Sequence, residues 1–302
     1  MPISAAIDAF LRYIQYEKRY SQHTTTSYQT DLEQAQAFFE REMAIHDIGE
    51  ITTAAARSWM SSLKNEEDNS ARTIRRKIST LKSFFRFHLK EGNVASTPMA
   101  AFTLPKLNKR LPSFLTEKET EKFEQTEHAE TPSNIKPWNL KNQNLIIKLL
   151  YETGMRRDEL IHIQTVNIDR TNGQIKVLGK GNKERILPVS NALLSEIDNY
   201  LNEKPTSKEP HPYLLVLSNG KMLYPKYVYN TVRQYLNSIT SLQKKSPHLL
   251  RHTFATQLLN NGADLNAVKE LLGHANLAAT QVYTHNTIEK LKSVFKQAHP
   301  KA

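Results

Sequence analysis

Pro98, Pro105 and Pro112 fall within one stretch, STPMAAFTLPKLNKRLPS (96–113), and break the periodicity of this 302-residue chain. Proline lacks a backbone donor, and its ring pushes the preceding residue out of the α region, so helix is disfavoured across such a run. The chain is therefore expected to form two domains, 1–95 and 114–302, joined by a linker over 96–113. Each side is long enough to bury its own core.

The first side reads as four helices. Ile7, Phe10, Leu11 and Ile14 recur at helical spacing, and Tyr28, Leu32, Ala35 and Phe39 repeat the stripe after a turn at Ser21. A third helix runs from about Thr53 to Leu63, and a polar, acidic break follows it. The fourth, 71–91, sets Ile74, Ile78, Leu81, Phe85 and Leu89 on one side. Its other faces carry Arg72, Arg75, Arg76, Lys77 and Lys82, with Arg86 and Lys90 beyond. A charge run of this kind is either a solvated face or a helix laid against DNA, with its cations on phosphates.

The second side is mixed. Thr116-Glu117-Lys118-Glu119 has the pattern of a capping box. A polar loop through Pro132 and Pro137 then leads to a helix over 142–151, and a tight turn at Gly154 leads into another. Asn172-Gly173 signals a hairpin, and QIKVLGK and KERILPV read as strands around Gly179-Lys180-Gly181-Asn182. Helices resume over 190–203, 224–240, 247–260, 264–272 and 286–297. The fold class is thus mainly α with a small antiparallel sheet.

Charge narrows the partners. The formal net charge is +11, yet residues 1–105 hold 13 Lys and Arg against 12 Asp and Glu, so the excess lies in the second side. Such a balance suits a polyanion, or simply a solvated basic surface. With no cysteine, a disulfide framework, a thiolate zinc site and a thiol nucleophile are all excluded. The N-terminus is charged from Asp8 onward and lacks the long apolar run of a signal peptide. No apolar run approaches the length needed to span a bilayer, and a cytoplasmic protein is expected.

Chemistry concentrates between Ser246 and His285. His248 and Arg251 are three residues apart and share a helix face, and His274 and Tyr283 follow. A guanidinium is a planar fork for phosphate, an imidazole moves a proton, and a phenol beside them is a candidate nucleophile. Each residue alone is more often packing or surface charge than chemistry.

Taken together, Gly154-Met155-Arg156-Arg157-Asp158-Glu159-Leu160, Lys180, His248-x-x-Arg251, Leu271-Leu272-Gly273-His274 and Tyr283 resemble the tyrosine recombinase (phage integrase) family, most closely its bacterial Xer type. The likeness covers nearly the whole chain. It implies a SAM-like, core-DNA-binding first domain and a catalytic second domain. Arg156 and Arg251 would hold the scissile phosphate, and Tyr283 would attack phosphorus. His248 would be the candidate base, Lys180 the general acid, and His274 a hydrogen-bond donor to a phosphate oxygen. Glu159, one turn from Arg156, would orient the arginines. Arg72, Arg75, Arg76, Lys77 and Lys82 would contact DNA.

The resemblance further implies no cofactor, since a covalent intermediate conserves the phosphodiester energy. The sequence has neither a Walker-type loop nor a carboxylate cluster suited to two metals. The implied partner is double-stranded DNA with a short, nearly palindromic site. Four protomers, identical or including a second recombinase, would exchange strands on it, with helix 286–297 docked into a neighbour. A DNA translocase is a candidate activator. Resolution of chromosome or plasmid multimers is the leading expectation, and integration or excision of a mobile element is its rival. A heterobivalent phage integrase would be expected to carry an arm-binding domain ahead of Met1, which makes the rival the lesser expectation, but recombinases of simple integrative elements also lack that arm. Two more distant readings are a type IB topoisomerase-like enzyme and a DNA-binding protein without catalysis.

Overall fold

The computed structural model describes residues 1–65, 69–103, 113–125, 137–179, 183–205, 211–273 and 285–300, with backbone alone for 123–125 and 285–291. The chain divides into two compact units, Met1–Arg110 and Leu111–Ala302.

The first unit is helical. Helices α1 (Ile3–Arg12, continued by a π-turn over Tyr13–Glu17), α2 (Gln22–Met43), α3 (Thr53–Asn65) and α4 (Ala71–Lys90) stand where the apolar spacing places them. Serine caps start two of them. Ser21 accepts from the Thr24 N–H at 3.3 Å, and Ser70 accepts from that of Thr73 at 3.1 Å, each satisfying an orphan donor. Ile7, Phe10, Leu32, Phe39, Trp59, Ile78 and Phe85 form the core.

Two sequence expectations change here. Leu89 lies at the frayed end of the α4 stripe and is exposed. Met99 and Phe102 are buried in the first core, so packed chain continues past residue 95 into the stretch expected as linker. Apolar side chains inside a proline-rich run can still dock when the run lies along a core.

The second unit starts with α5 (Glu117–Gln125), where Thr116 and Glu119 cap each other reciprocally. Helix α6 (Pro137–Thr153) begins five residues before the apolar periodicity places it. Pro137 is its first residue, where a missing N–H costs nothing, and Pro225 and Pro247 open two later helices in the same way. The short α7 (Arg157–Ile161) leads to an antiparallel sheet of β1 (Ile168–Asp169), β2 (Gln174–Leu178) and β3 (Glu184–Pro188), in that order. Ile175 faces Leu187 across the β2–β3 pair, and Val177 faces Arg185. Helices α8 (Asn191–Asn202), α9 (Pro225–Ile239), α10 (Pro247–Asn260), α11 (Leu265–Leu272) and α12 (His285–Ala298) complete the unit.

The main core gathers Ile146, Leu150, Leu160, Ile175, Leu187, Ile197, Val232 and Leu250. A second cluster joins Phe254, Leu258, Val268, Leu271 and Leu272 to Phe295 and Ala298. The helix expected to dock into a neighbour thus packs its C-terminal half on its own unit. Asn261 donates to the Ala298 carbonyl at 2.6 Å, and His299 stacks on Phe295. Burying a side chain such as Phe295 is worth about 1.5–3 kcal/mol, and a single chain recovers that only in cis.

Candidate active site

The turn between α6 and α7 builds the first half of the site. Gly154 has φ +59°, and a Cβ on it would lie 2.4 Å from the Phe254 ring, so both conformation and packing demand glycine. That turn points the Gly154 carbonyl at Arg251 and starts α7 with Arg156 as its N-cap. The Glu159 carboxylate then reaches back one turn, accepting from the Arg156 backbone N–H at 2.6 Å and from its guanidinium Nη1 at 2.8 Å.

The C-terminus of α11 builds the second half. Gly273 closes the helix in the left-handed region at φ +63°, which aims its last carbonyls outward. Three successive carbonyls there each meet a different arginine. Leu271 O accepts from Arg185 Nε at 2.8 Å, Leu272 O accepts from Arg251 Nη2, and Gly273 O accepts from Arg156 Nη2 at 2.9 Å. The negative end of a helix dipole is a natural seat for guanidinium groups. Neighbouring peptide carbonyls therefore hold Arg156 and Arg251 beside each other.

Arg185 lies in the stretch GKGNKERILPVS that shares the family likeness but has no role assigned from the sequence, yet it is central here. Its fork grips both Glu159 oxygens, Nη1 on Oε1 at 2.6 Å and Nη2 on Oε2 at 2.7 Å, and both side chains are buried. The sequence does carry one sign of it. In ERILP the alternation puts Arg185 on the face of Leu187, a cation in an apolar slot.

The electrostatics are those of an anion site. Burial pushes the Glu159 carboxyl up, but the Arg185 fork and its charge, then Arg156, outweigh this and bring it down to about 2. Two guanidiniums bond this one carboxylate and a third, Arg251, lies within electrostatic reach of it, leaving an excess of positive charge. Burial brings Arg251 down, and repulsion by Arg156 and Arg185 takes it to about 9, still charged at neutral pH. His248, exposed in the first turn of α10, is also held below the ordinary histidine value. Partial desolvation comes first, followed by the cations Arg251, His252, Arg157 and Arg156. It is thus a neutral imidazole beside an arginine cluster. Each guanidinium has five N–H donors, and Arg156 and Arg251 each give two to partners among the described residues. The remaining donors suit a phosphate. Among the described residues no group of three or more His, Asp or Glu could hold a metal ion.

The structure thus brings together Arg156, Glu159 and Arg251, with His248 within electrostatic reach of both arginines. Lys180, His274 and Tyr283 lie outside the described residues. The cations of α4 divide. Lys77 is buried and donates to Gln34 Oε1, so it is unavailable to a DNA phosphate. Arg76 pairs with the buried Asp31 and donates to Ser27 at 3.1 Å, and Lys82 donates to the Phe102 carbonyl. Arg72 is exposed and Arg75 half-buried. Helical periodicity ranks residues by face but does not show which surface another helix covers, and α2 covers Lys77.

The phage integrase family profile matches residues 113–290, and the profile of the phage integrase N-terminal SAM-like domain matches residues 7–92. The chain belongs to the phage integrase family. It is accordingly a tyrosine recombinase, an enzyme of site-specific DNA cleavage and rejoining. One similar protein is the tyrosine recombinase XerC of Staphylococcus saprophyticus, 38% identical over 299 residues, with 97% of each chain covered. The fold resembles that of the XerH site-specific recombinase bound to its difH substrate in a pre-cleavage complex. That match has a TM-score of 0.68 at 22% identity, over 97% of this chain and 82% of that one. It also resembles the Tn1549 transposon integrase in complex with transposon right end DNA, with a TM-score of 0.72 at 18% identity, over 96% and 98% of the two chains. No helix among the described residues is long and apolar enough to cross a membrane.

Proposed function

We propose that this recombinase cuts DNA through a 3′-phosphotyrosine intermediate. Arg156 and Arg251 hold the non-bridging oxygens of the scissile phosphate, where their charges offset the negative charge of a pentacoordinate transition state. The Tyr283 oxygen attacks phosphorus, and its proton passes to a base. His248, kept neutral by its surroundings, fills that role. The bond to the 5′-oxygen breaks, and Lys180 protonates the departing oxygen. His274 donates to a phosphate oxygen. The products are a 3′-phosphotyrosyl strand and a free 5′-hydroxyl, and attack by a second 5′-hydroxyl reverses the step on a new partner. The bond count is conserved, so the scheme needs no nucleotide cofactor.

The observation that carries this reading is the pair of guanidinium forks seated on adjacent carbonyls of α11 around an ionised Glu159. The substrate is double-stranded DNA with a short, nearly palindromic site. Exposed cations of α4, Arg72 first, contact its backbone. Four protomers, identical or of two kinds, act on a pair of sites, and a DNA translocase is a candidate activator. Resolution of chromosome or plasmid multimers in the cytoplasm is the role that the XerC-named relative favours. The likeness to a transposon integrase is one of fold alone and gives the mobile-element reading no comparable support.

The test is adduct formation on a duplex that carries a selected binding site and a nick beside the scissile phosphate. Wild-type protein is expected to become covalently attached to DNA, and Tyr283→Phe to bind without attachment. Equal adduct from both would refute the assignment. Strand exchange between two labelled duplexes, as against relaxation alone, separates recombination from topoisomerase activity.

A further inference from the structure

Arg185 is a buried cation that takes no part in the cleavage chemistry, and it touches both α7 and the C-terminus of α11, two of the segments from which the site is assembled. Its guanidinium binds both oxygens of Glu159, three residues after Arg156. Its Nε holds the Leu271 carbonyl at the end of α11. A Cβ on Gly273, the residue before His274, would lie 3.2 Å from Arg185 Cδ. One on Gly179, the residue before Lys180, would lie 3.4 Å from Arg185 Nη1. Gly273 thus lets its chain segment close tightly on the Arg185 side chain, and Gly179 lies within ordinary van der Waals reach of its guanidinium.

We propose that Arg185 is a positioning residue for DNA cleavage: it occupies the Glu159 carboxylate so that Arg156 stays free for phosphate, and it anchors the α11 C-terminus from which the chain runs on to His274. This role rests on the phosphotyrosine chemistry of the preceding section.

The physical reason lies in how two forks share one carboxylate. An arginine alone beside a carboxylate closes on it end-on, with two parallel N–H···O bonds. Here Arg185 takes that end-on position, at 2.6 and 2.7 Å. Arg156 is left with one side-chain bond to Oε1, and its Nη2 is turned to Gly273 O. Without Arg185, the electrostatic optimum for Arg156 is to fold fully onto Glu159. A phosphate would then have to break a bidentate ion pair before binding. The Leu271 carbonyl would also lose its donor, loosening the row of carbonyls that seats Arg251 and Arg156 side by side. A buried ion pair that served stability alone would need neither the second arginine nor the contact with α11.

The experiment separates cleavage from binding and from folding. Wild type, Arg185→Met, Arg185→Lys, Glu159→Gln and the Arg185→Met/Glu159→Gln double variant are compared on the same nicked duplex, whose site is selected by the wild-type protein from a random pool. Three quantities are measured: melting temperature, affinity for the duplex, and the single-turnover rate of adduct formation at saturating protein. Misplacing a reacting group by about 1 Å costs on the order of 10²-fold, so Arg185→Met is expected to cleave about 10²-fold more slowly at nearly unchanged affinity. Arg185→Lys keeps the charge but cannot span both carboxylate oxygens, and it is expected to lie in between, about tenfold down. The double variant is expected to be no slower than the worse single variant, because both changes act through the same arginine.

Wild-type cleavage by folded Arg185→Met would overturn the assignment. If Arg185→Met does not fold, wild-type cleavage by Arg185→Lys overturns it in the same way. So does a loss of affinity parallel to the loss of rate, or effects that multiply in the double variant. Absence of adduct from the wild-type protein would overturn the recombination chemistry and this assignment together, whereas wild-type adduct without an Arg185 effect overturns this assignment alone.

Discussion

Among the described residues each unit buries a carboxylate against arginine, and the two sites are built differently. In the first unit Asp31, between α2 and α4, meets a single guanidinium, that of the half-exposed Arg76, and the Thr80 hydroxyl at 2.9 Å. Its other oxygen has no partner among the described residues. In the second unit both oxygens of Glu159 are saturated, each accepting from Arg185 and from Arg156. One carboxylate balances one cation and joins two helices. The other is outnumbered, and the unbalanced charge is what a phosphate would neutralise. A buried ion pair by itself therefore says little about function. The ratio of cations to carboxylates, and the donors left over, say more.

The largest expected effect breaks the functional side of this contrast. Arg251→Met should slow adduct formation about 10²–10³-fold, the usual cost of one donor to a developing charge, measured at saturating protein on the nicked duplex. Cleavage within a few-fold of wild type would remove Arg251 from the phosphate site.

Stability should separate the two carboxylates next. Removing one partner of a well-buried pair costs about 3–5 kcal/mol, so Arg185→Met should lower unfolding free energy by that order. Asp31→Ala, whose arginine partner is half exposed and screened by water, should cost about 1–3 kcal/mol in denaturant titrations. Comparable losses at the two sites would undo the distinction.

Acidity sharpens it further. Glu159 is depressed in the folded protein from 4.5 to about 2, so its contribution is fully present above pH 4.5 and lost as pH falls toward 2. Arg185→Met removes the main opposition to burial and brings the folded value back up, so the stability lost between pH 4.5 and 2 should be smaller in the variant than in wild type, measured by denaturant titration at each pH. For His248 the lowered value favours the neutral form: with a folded value below 6.5, that form persists to lower pH than in an ordinary histidine. The acid limb of the cleavage rate should therefore have its midpoint below 6.5. A midpoint above that value would reject His248 as the base.

The smallest expected effect concerns α4. Arg72→Ala should reduce the slope of log affinity against log salt by about one, whereas Lys77→Met should leave the slope unchanged because Lys77 is buried on Gln34. Equal slopes for the two variants would put the DNA-facing side of the helix elsewhere.

Local rules make much of this molecule legible in advance. Apolar spacing places α1 to α4, the Asn172-Gly173 turn joins the antiparallel pair β1–β2, and Thr116 with Glu119 marks the start of α5. Arg156, Glu159, His248 and Arg251 stand out through the spacing of their motifs. Each of these is a short-range signal. Spacing, caps and turns involve residues a few positions apart, and the chain displays them whatever the rest does.

The remainder depends on which distant segments meet. Arg185 lies 26 residues from Glu159 and 86 from the Leu271 carbonyl, and only the packing of β3 against α7 and α11 gives it those partners. The sequence alone determined that this chain has a helical first unit, a mixed second unit and the residue types of a phosphate-handling site. Tertiary structure decided that Lys77 is lost to the core, that Phe295 and Ala298 pack on α10 and α11, and that three arginines cluster near one carboxylate. Burial and charge pairing are properties of surfaces in contact, and contacts between remote segments leave no period in the sequence that encodes them.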